Sequence, residues 1–600
     1  MPLMDEAYKD SSPLETVRRI KKLLRDSGLS ATEVWQEDTV PNCHAMSVQL
    51  NGLTLKSNGK GLTREFAMAS GYGELMERLQ LGLTGSGEGQ KTALREDAAA
   101  QTADAASLIA ANPLRYQRIA QRLTQATGIS IDSRRLLSRF EDSDGDVTVK
   151  EYRNLVTGQV ELLPVEMVRR VYATNGCAAG NTPEEALVQA LSEIMERHHQ
   201  LRIIHEGLTP PEVPESMLES CAAAWESICF LRQQGLNISV RDCSLATPFP
   251  VVCVCLTDPK TGAYHTHFGG FPRFEIALQR ALTESFQGRT LNNVTQFRGH
   301  SDKQPGQHHP EAIANEIAFG SWRKPYSFFH GSPSFPAQTE FGFSGSDNKS
   351  LLKQCIHYLT KLGYDILVRD HSVLGFPTYQ VIVPGFSEVM IHRLVQNLDD
   401  TRYSAAASQV LRNPSKATVP DAMGLLLHLQ ELDRLGPKIK DSQLFTGCAR
   451  LSVKLDRKTD QKLLIASLCH VQYSMGRRSD VVKGIDQLLP AATPEEAARL
   501  LCVKQYLSLL IAGRDPQAAK DVLHICHPSS TVTWLLDHLE KRSNPFDDFV
   551  IHCDELTCDG CPIQFQCCQV YTRKISGLIA RKTAKLDQAE AFRQLLASLQ

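Results

Sequence analysis

Nowhere in this 600-residue chain do about 18 apolar residues run unbroken, so no segment reads as a membrane-spanning helix. The start, Met1-Pro2-Leu3-Met4-Asp5-Glu6, lacks a basic stretch leading into an apolar one, and no export signal is read there. Excess charge of either sign is missing too: 65 Lys and Arg against 67 Asp and Glu leave a formal −2. That removes any global electrostatic case for nucleic acid or an anionic membrane. The 17 cysteines are scattered and no leader precedes them, so they read as reduced thiols and ligands of a cytoplasmic protein. The Walker spacing Gly-x4-Gly-Lys-Ser/Thr is absent. A calcium loop at Asp142-Ser143-Asp144-Gly145-Asp146 fails, because Val147 stands at the sixth position and Arg153 at the twelfth.

What is present is a glutamate pattern. Gly73-Glu74-Leu75-Met76-Glu77-Arg78 is echoed 119 residues later by Ser192-Glu193-Ile194-Met195-Glu196-Arg197, and Arg280 to Gln287 adds a third polar stripe with Glu284. Carboxylates three apart on a helix share a face, and with an Arg beside each second Glu they can point oxygen ligands at hard cations and phosphates. Thr182-Pro183-Glu184-Glu185 reads as a helix start in which Glu185 completes a capping box. From it Glu185, Gln189, Glu193 and Glu196 fall at steps of four, four and three, on one stripe. Leu187, Val188, Leu191, Ile194 and Met195 fill the rest of the circumference, which predicts a mostly buried helix whose carboxylates need cations.

Each motif helix follows a turn or hairpin. Ala45–Leu50 and Leu53–Ser57 flank Asn51-Gly52 and read as a hairpin. The glycine-rich Ser57-Asn58-Gly59-Lys60-Gly61 reads as a loop able to hold phosphate, with Lys60 supplying charge. Asn175-Gly176 and Gly180-Asn181 stand before the second helix. Val251–Thr257 and Ala263–Phe268 form a second hairpin before a helix starting near Phe274. Residues 15–27 and 93–125 read as helical, 145–172 as short strands, and 297–345, rich in Gly, Pro, Ser and His, as a long insertion. His198-His199 reads as helix surface or core and His308-His309 as loop, since neither has partners at metal spacing. After about residue 400 helix follows helix, as in Leu463–Met475, Ser479–Leu489, Pro494–Ile511 and Pro516–Cys526, with Trp534 as packing. Tetratricopeptide-type hairpins and a generic bundle both fit, because no clean 34-residue signature is present.

Together Asn58-Gly59-Lys60-Gly61, Glu74-x-x-Glu77-Arg78, Asn175-Gly176-Cys177-Ala178-Ala179-Gly180-Asn181-Thr182, Glu193-x-x-Glu196-Arg197 and Arg280-x3-Glu284-x2-Gln287-Gly288-Arg289 resemble the YcaO superfamily, five motifs in order across about 230 residues. Lys9-Asp10-x3-Leu14-Glu15-Thr16 resembles a Lys-Asp-x3-Leu-Glu-Ser stretch of its long bacterial branch. That branch is described as accessory to methylthiolation of a small-subunit ribosomal protein by the radical enzyme RimO. The resemblance implies an enzyme that binds ATP and Mg2+ and transfers the γ-phosphoryl group to a backbone amide oxygen of a peptide or protein. It implies magnesium ligands at Glu74, Glu77, Glu193, Glu196 and Glu284. It implies nucleotide contacts from Asn181, Glu185, Gln189, Arg197 and Arg280, with Lys9 and Thr16 closing the site. RimO or a ribosomal protein would then be a partner, and a homodimer is left open. Two other readings stand beside it: an azoline- or thioamide-forming enzyme of a peptide natural product, and a non-catalytic, nucleotide-regulated scaffold. The ending Arg593-Gln594-Leu595-Leu596-Ala597-Ser598-Leu599-Gln600 departs from the proline-rich tail of the heterocyclising members.

Cys553, Cys558, Cys561, Cys567 and Cys568 crowd into 16 residues and read as a zinc or iron–sulfur site, with a redox dithiol or simple loose thiols as the other readings. The expected fold is α+β: a YcaO-type domain of mixed or antiparallel sheets over 1–398, an all-α, tetratricopeptide-like region over 399–545, and a cysteine-rich segment over 546–600.

Overall fold

The computed structural model describes residues 8–51, 55–83, 101–127, 130–138, 140, 146–295, 297–298, 324–389, 420, 423–425, 457–550, 578–579, 581–583 and 585–599. They form two units, one built from the described residues up to 389 together with 578–599, the other from those between 420 and 550.

The first unit holds thirteen strands: β1 (Ala31–Trp35), β2 (His44–Leu50), β3 (Lys56–Gly61), β4 (Gln101–Asp104), β5 (Asp146–Asn154), β6 (Val160–Pro164), β7 (Cys177–Ala179), β8 (Asn237–Asp242), β9 (Val251–Asp258), β10 (Ala263–Gly270), β11 (Phe297–Arg298), β12 (Leu367–Asp370) and β13 (Thr378–Ile382). Three antiparallel sheets result, ordered β1-β2-β3, β11-β10-β9-β8 and β4-β5-β12-β13-β7, with β6 paired to β5. In β9 every residue from Val251 to Leu256 is buried, the continuous apolar pattern of a strand covered on both faces. Among the described residues no helix is long and apolar enough to cross a membrane.

Helices Arg64–Gln80, Pro183–Glu206 and Phe274–Ser285 carry the glutamate motifs. Thr63 and Thr182 cap the first two, their hydroxyls accepting from the N–H of Phe66 at 3.3 Å and of Glu185 at 3.1 Å. Leu187, Val188, Leu191, Ile194 and Met195 are all buried, as the sequence pattern requires. Gly207, left-handed at φ +65°, ends that helix.

The structure departs from the sequence expectation in several places. The glycine-rich Ser57–Gly61 is strand, not loop, and its glycines serve close approach: a Cβ on Gly59 would lie 2.0 Å from the Ala67 carbonyl oxygen. Glu185 does not return to its N-cap to close a capping box; its carboxylate is drawn away by partners from the N-terminus of the chain. Residues 101–104 are strand rather than helix, because they pair with Asp146–Val149 at the edge of the third sheet. Within 297–345, β11 pairs with β10, and Lys324, Phe328 and Phe343 are buried. Residues 578–599, grouped by sequence with the cysteine-rich end, belong to the first unit. There Phe592 and Leu595 enter the core, and Gln588 exchanges hydrogen bonds with the backbone of Asp370 on β12.

The second unit is helical, with Arg457–Ser474, Arg478–Leu488, Pro494–Ile511, Pro516–Cys526 and Ser529–Glu540 around a core that includes Ile485, Leu500, Val503, Leu507, Leu523 and Leu535. Thr493 with Glu496, and Asp515, cap the helices opened by Pro494 and Pro516. Trp534 packs as expected, its N–H donating to Asp548 at 2.8 Å beneath the Arg499 guanidinium.

Candidate nucleotide and metal site

The three motif helices and β3 converge on one group of charges. On the Arg64–Gln80 helix Glu74 accepts from the backbone N–H of Asn58 at 3.1 Å and pairs with Arg78. On the Pro183–Glu206 helix Glu193 pairs with Arg197 at 3.3 Å, and Glu196 accepts from the backbone N–H of Gly270 at 2.8 Å. On the third helix Glu284 pairs with Lys60 of β3, and Arg280 donates to Gln189 at 2.5 Å. The Gln287 amide closes the same corner by donating to the Asn58 carbonyl at 2.9 Å.

Their electrostatics show how tightly the carboxylates are gathered. Burial first, and then the Glu193 and Glu74 carboxylates, hold the Glu77 carboxyl well above the usual range despite Arg78 and Arg197. Burial likewise raises Glu193, with Arg197 opposing and Glu196 adding to the rise. Burial and then Arg280 bring Lys60 down to about 8, although Glu196, Glu74 and Glu193 pull the other way. The Cys177 thiol is pushed well up by burial and then by Glu77 and Glu193, which places it beside the same carboxylates.

A second cluster occupies the N-terminal end of the middle helix. Lys9 pairs with Glu185 at 3.1 Å, the Asp10 N–H donates to the same carboxylate at 3.0 Å, and the Asn181 amide donates to it at 3.0 Å. Thr16 donates to the Asn181 side-chain oxygen at 2.9 Å. Burial would raise Glu185, but Lys9, the Asp10 N–H and Asn181 outweigh it and leave the carboxyl below its ordinary value. For Lys9 burial acts downward, and Glu185 overcomes it to leave a net rise. Gln189, one turn on from Glu185, links the clusters through Arg280. From Glu185 to Glu196 the stripe runs about 16 Å at 1.5 Å per residue.

Every residue singled out for this site in the sequence thus lies in one of two linked groups on or against a single helix. Sequence reasoning missed Asp10, Gly270 and Asn348. Asn348 donates to the Tyr8 carbonyl at 2.9 Å and to Asp10 at 3.0 Å, and so anchors the N-terminal segment. Asp10 stands beside Lys9 in the same motif, which was the available signal; Gly270 and Asn348 act through backbone and distant packing and leave none. Cys553, Cys558, Cys561, Cys567 and Cys568, the turn at 142–145 and His308-His309 lie outside the described residues. Among the described residues no three His, Cys, Asp or Glu side chains form a metal-holding group. His199 is core: it is buried, Nδ1 against the Met195 carbonyl at 2.6 Å and Nε2 against Thr247 at 3.1 Å, and burial lowers it to about 4.

The donor set is chemically suited to a hard cation. Its donors are carboxylate oxygens, the kind a hard cation takes, although as placed no three of them already form a metal-holding group. Among the described residues the buried Arg280 Nε has no hydrogen-bond partner, and it fits an anionic oxygen beside such a cation.

The family model described as YcaO cyclodehydratase, ATP- and Mg2+-binding, matches residues 58–387. The chain is similar to the ribosomal protein S12 methylthiotransferase accessory factor YcaO of Escherichia coli, 27% identical over 401 residues, or 64% of this chain and 66% of that protein. It is also similar to an uncharacterized protein of Haemophilus influenzae, 25% identical over 398 residues, or 64% of this chain and 66% of that one. The match therefore spans just under two thirds of these relatives' length. Among solved structures, YcaO from Methanopyrus kandleri bound with AMPPCP and Mg2+ aligns at TM-score 0.40 and 19% identity, covering 66% of this chain and 95% of that one. A heterocyclase in complex with substrate and cofactor aligns at TM-score 0.46 and 19% identity, covering 63% and 53%. With residues 58–387 matched from the glycine-rich strand through all three glutamate helices, this chain belongs to the YcaO family.

Proposed function

We propose that this protein uses ATP and Mg2+ to phosphorylate the oxygen of a backbone amide in a peptide or protein substrate, as accessory to methylthiolation of a small-subunit ribosomal protein. The observation that carries the first part is the half-buried carboxylate group around Glu77 and Glu193, held against Lys60, Arg197 and Arg280. The second part draws on the likeness to the Escherichia coli accessory factor.

In this reading Glu74, Glu77, Glu193, Glu196 and Glu284 hold magnesium. Bound there, magnesium would supply positive charge against the phosphates. Lys60, Arg197 and Arg280 face the phosphates. Gln189 fixes the Arg280 fork, and the Lys9–Glu185–Asn181–Thr16 chain brings the N-terminal segment over the nucleotide. No nucleophile is required from the protein, because phosphoryl transfer rests on positioning and charge neutralisation. A thiol or amine on the substrate, or a separate sulfur donor, adds to the amide carbon and loses its proton to solvent; the carbonyl π bond opens onto the oxygen, which takes the γ-phosphoryl group as the bond to ADP breaks.

The test is nucleotide turnover with and without small-subunit ribosomal protein, run beside Glu196→Ala. The reading expects ADP release that the ribosomal protein stimulates and that the variant loses by about 10²-fold or more. Equal turnover in both proteins would overturn it.

A further inference from the structure

His265 on β10 is fully buried, and among the described residues neither ring nitrogen has a hydrogen-bond partner. A buried polar group left unpaired is costly and calls for an explanation. Its side chain shares a face of the strand with His267 and Gly269, because alternate residues point the same way. The two imidazole centroids lie 5.4 Å apart.

That face lies under the Phe274–Ser285 helix, since a Cβ on Gly269 would sit 2.3 Å from the Ala277 carbonyl oxygen and 2.9 Å from the Ala281 Cβ. The chain reverses after Gly270, so His267 and then His265 face successively later positions of the helix. There Glu284 pairs with Lys60, and the turn through Gly288 at φ +74° carries Arg289. Gln36 holds this turn, accepting from the Gly288 N–H at 2.9 Å and donating to the Phe286 carbonyl at 3.1 Å.

Glu284 is paired with Lys60, and the charges that act on the two imidazoles are cationic. Burial and then Arg289 and Lys324 bring His265 down to about 3, while burial, His265 and Lys60 hold His267 well below its ordinary value. Lys324 acts through the sheet: its ammonium lies 5.7 Å from the ring of Phe268, on the opposite face of β10. Both imidazoles are therefore neutral at physiological pH, each with an N–H to give, in surroundings that favour negative charge.

We propose that His265, His267 and Arg289 form an oxyanion subsite beside Lys60, which takes a carboxylate or phosphate group. An acidic group of a substrate and a released phosphate share that chemistry. The subsite extends the amide-phosphorylation reading but does not depend on it, since it borders the carboxylate group only at Lys60.

The test is calorimetric titration of the full chain with inorganic phosphate and, separately, with acetate, repeated in His265→Phe and Arg289→Gln. Mg–ATP is titrated into all three proteins. Saturable binding of at least one anion to the wild type is expected, weakened about tenfold or more in both variants, with Mg–ATP affinity within about twofold throughout. Preference for phosphate identifies a released phosphoryl group as occupant, and preference for acetate identifies a substrate carboxylate. If neither anion binds the wild type, or if both variants bind as the wild type does, the subsite is overturned. Should His265→Phe fail to fold, Arg289→Gln makes the same decision. Anion binding that persists while no protein binds Mg–ATP would overturn the nucleotide reading and leave the subsite standing.

Discussion

Glu77 sits half-buried beside the Glu193 and Glu74 carboxylates. Its carboxyl is raised by burial and by Glu193 and Glu74, so in the metal-free protein it keeps its proton to a higher pH than it does in the unfolded chain. The sign follows by linkage: the folded state binds more protons than the unfolded state between the two values. Stability of the metal-free protein therefore falls as pH rises from about 4.5 through the folded value of Glu77. Urea midpoints measured across that range should show the fall, and saturating Mg–ATP should flatten it by supplying the charge that the proton otherwise supplies. Glu77→Gln should remove part of the slope and abolish the flattening. A slope unchanged by nucleotide would detach Glu77 from the metal.

Among the elements, β3 and β10 are joined to their helices by glycine contacts tight enough to set the site's geometry. On Gly270 a Cβ would stand 2.8 Å from the Glu196 Cβ, and the same residue's N–H holds the Glu196 carboxylate. Gly270→Ala should cost about 1–3 kcal/mol of stability by overpacking and weaken Mg–ATP binding through a displaced Glu196, which denaturation and calorimetry on one preparation would show. Wild-type affinity in Gly270→Ala would mean that Glu196 lies outside the binding set. The glutamate spacings, the Thr182 cap and the apolar circumference of the middle helix were legible in the sequence, because helical period and capping chemistry are local. The strand character of Ser57–Gly61 was not. Glycines that permit close approach to a helix look, in one dimension, like glycines of a loop. Nor could local spacing reveal that Glu185 would choose Lys9 and the Asp10 N–H, more than 170 residues away, over its own N-cap. Resemblance to a known family, rather than periodicity, linked Lys9 and Thr16 to this site.

At the scale of the whole molecule, the chain leaves the first unit for a helical one and returns to it. Helix Gln588–Leu599 completes the first unit's core through Phe592 and Leu595, with the Arg153 guanidinium 5.8 Å from the Phe592 ring centroid. Phe592→Ala should destabilise that unit by about 3–5 kcal/mol, read as a lower denaturant midpoint, whereas an unchanged midpoint would show the returning helix to be dispensable. That return was hidden in the sequence because an amphipathic helix records an apolar stripe but not the surface that covers it.

All of these features meet in the claim that the carboxylates of three helices hold one Mg–ATP. Calorimetric titration of ATP with magnesium into the wild type, Glu74→Ala and Glu193→Ala tests it most directly. The account predicts magnesium-dependent binding to the wild type that falls by about 10–100-fold or more in each variant. Binding of equal strength in all three proteins, or none by well-folded wild type, would contradict it.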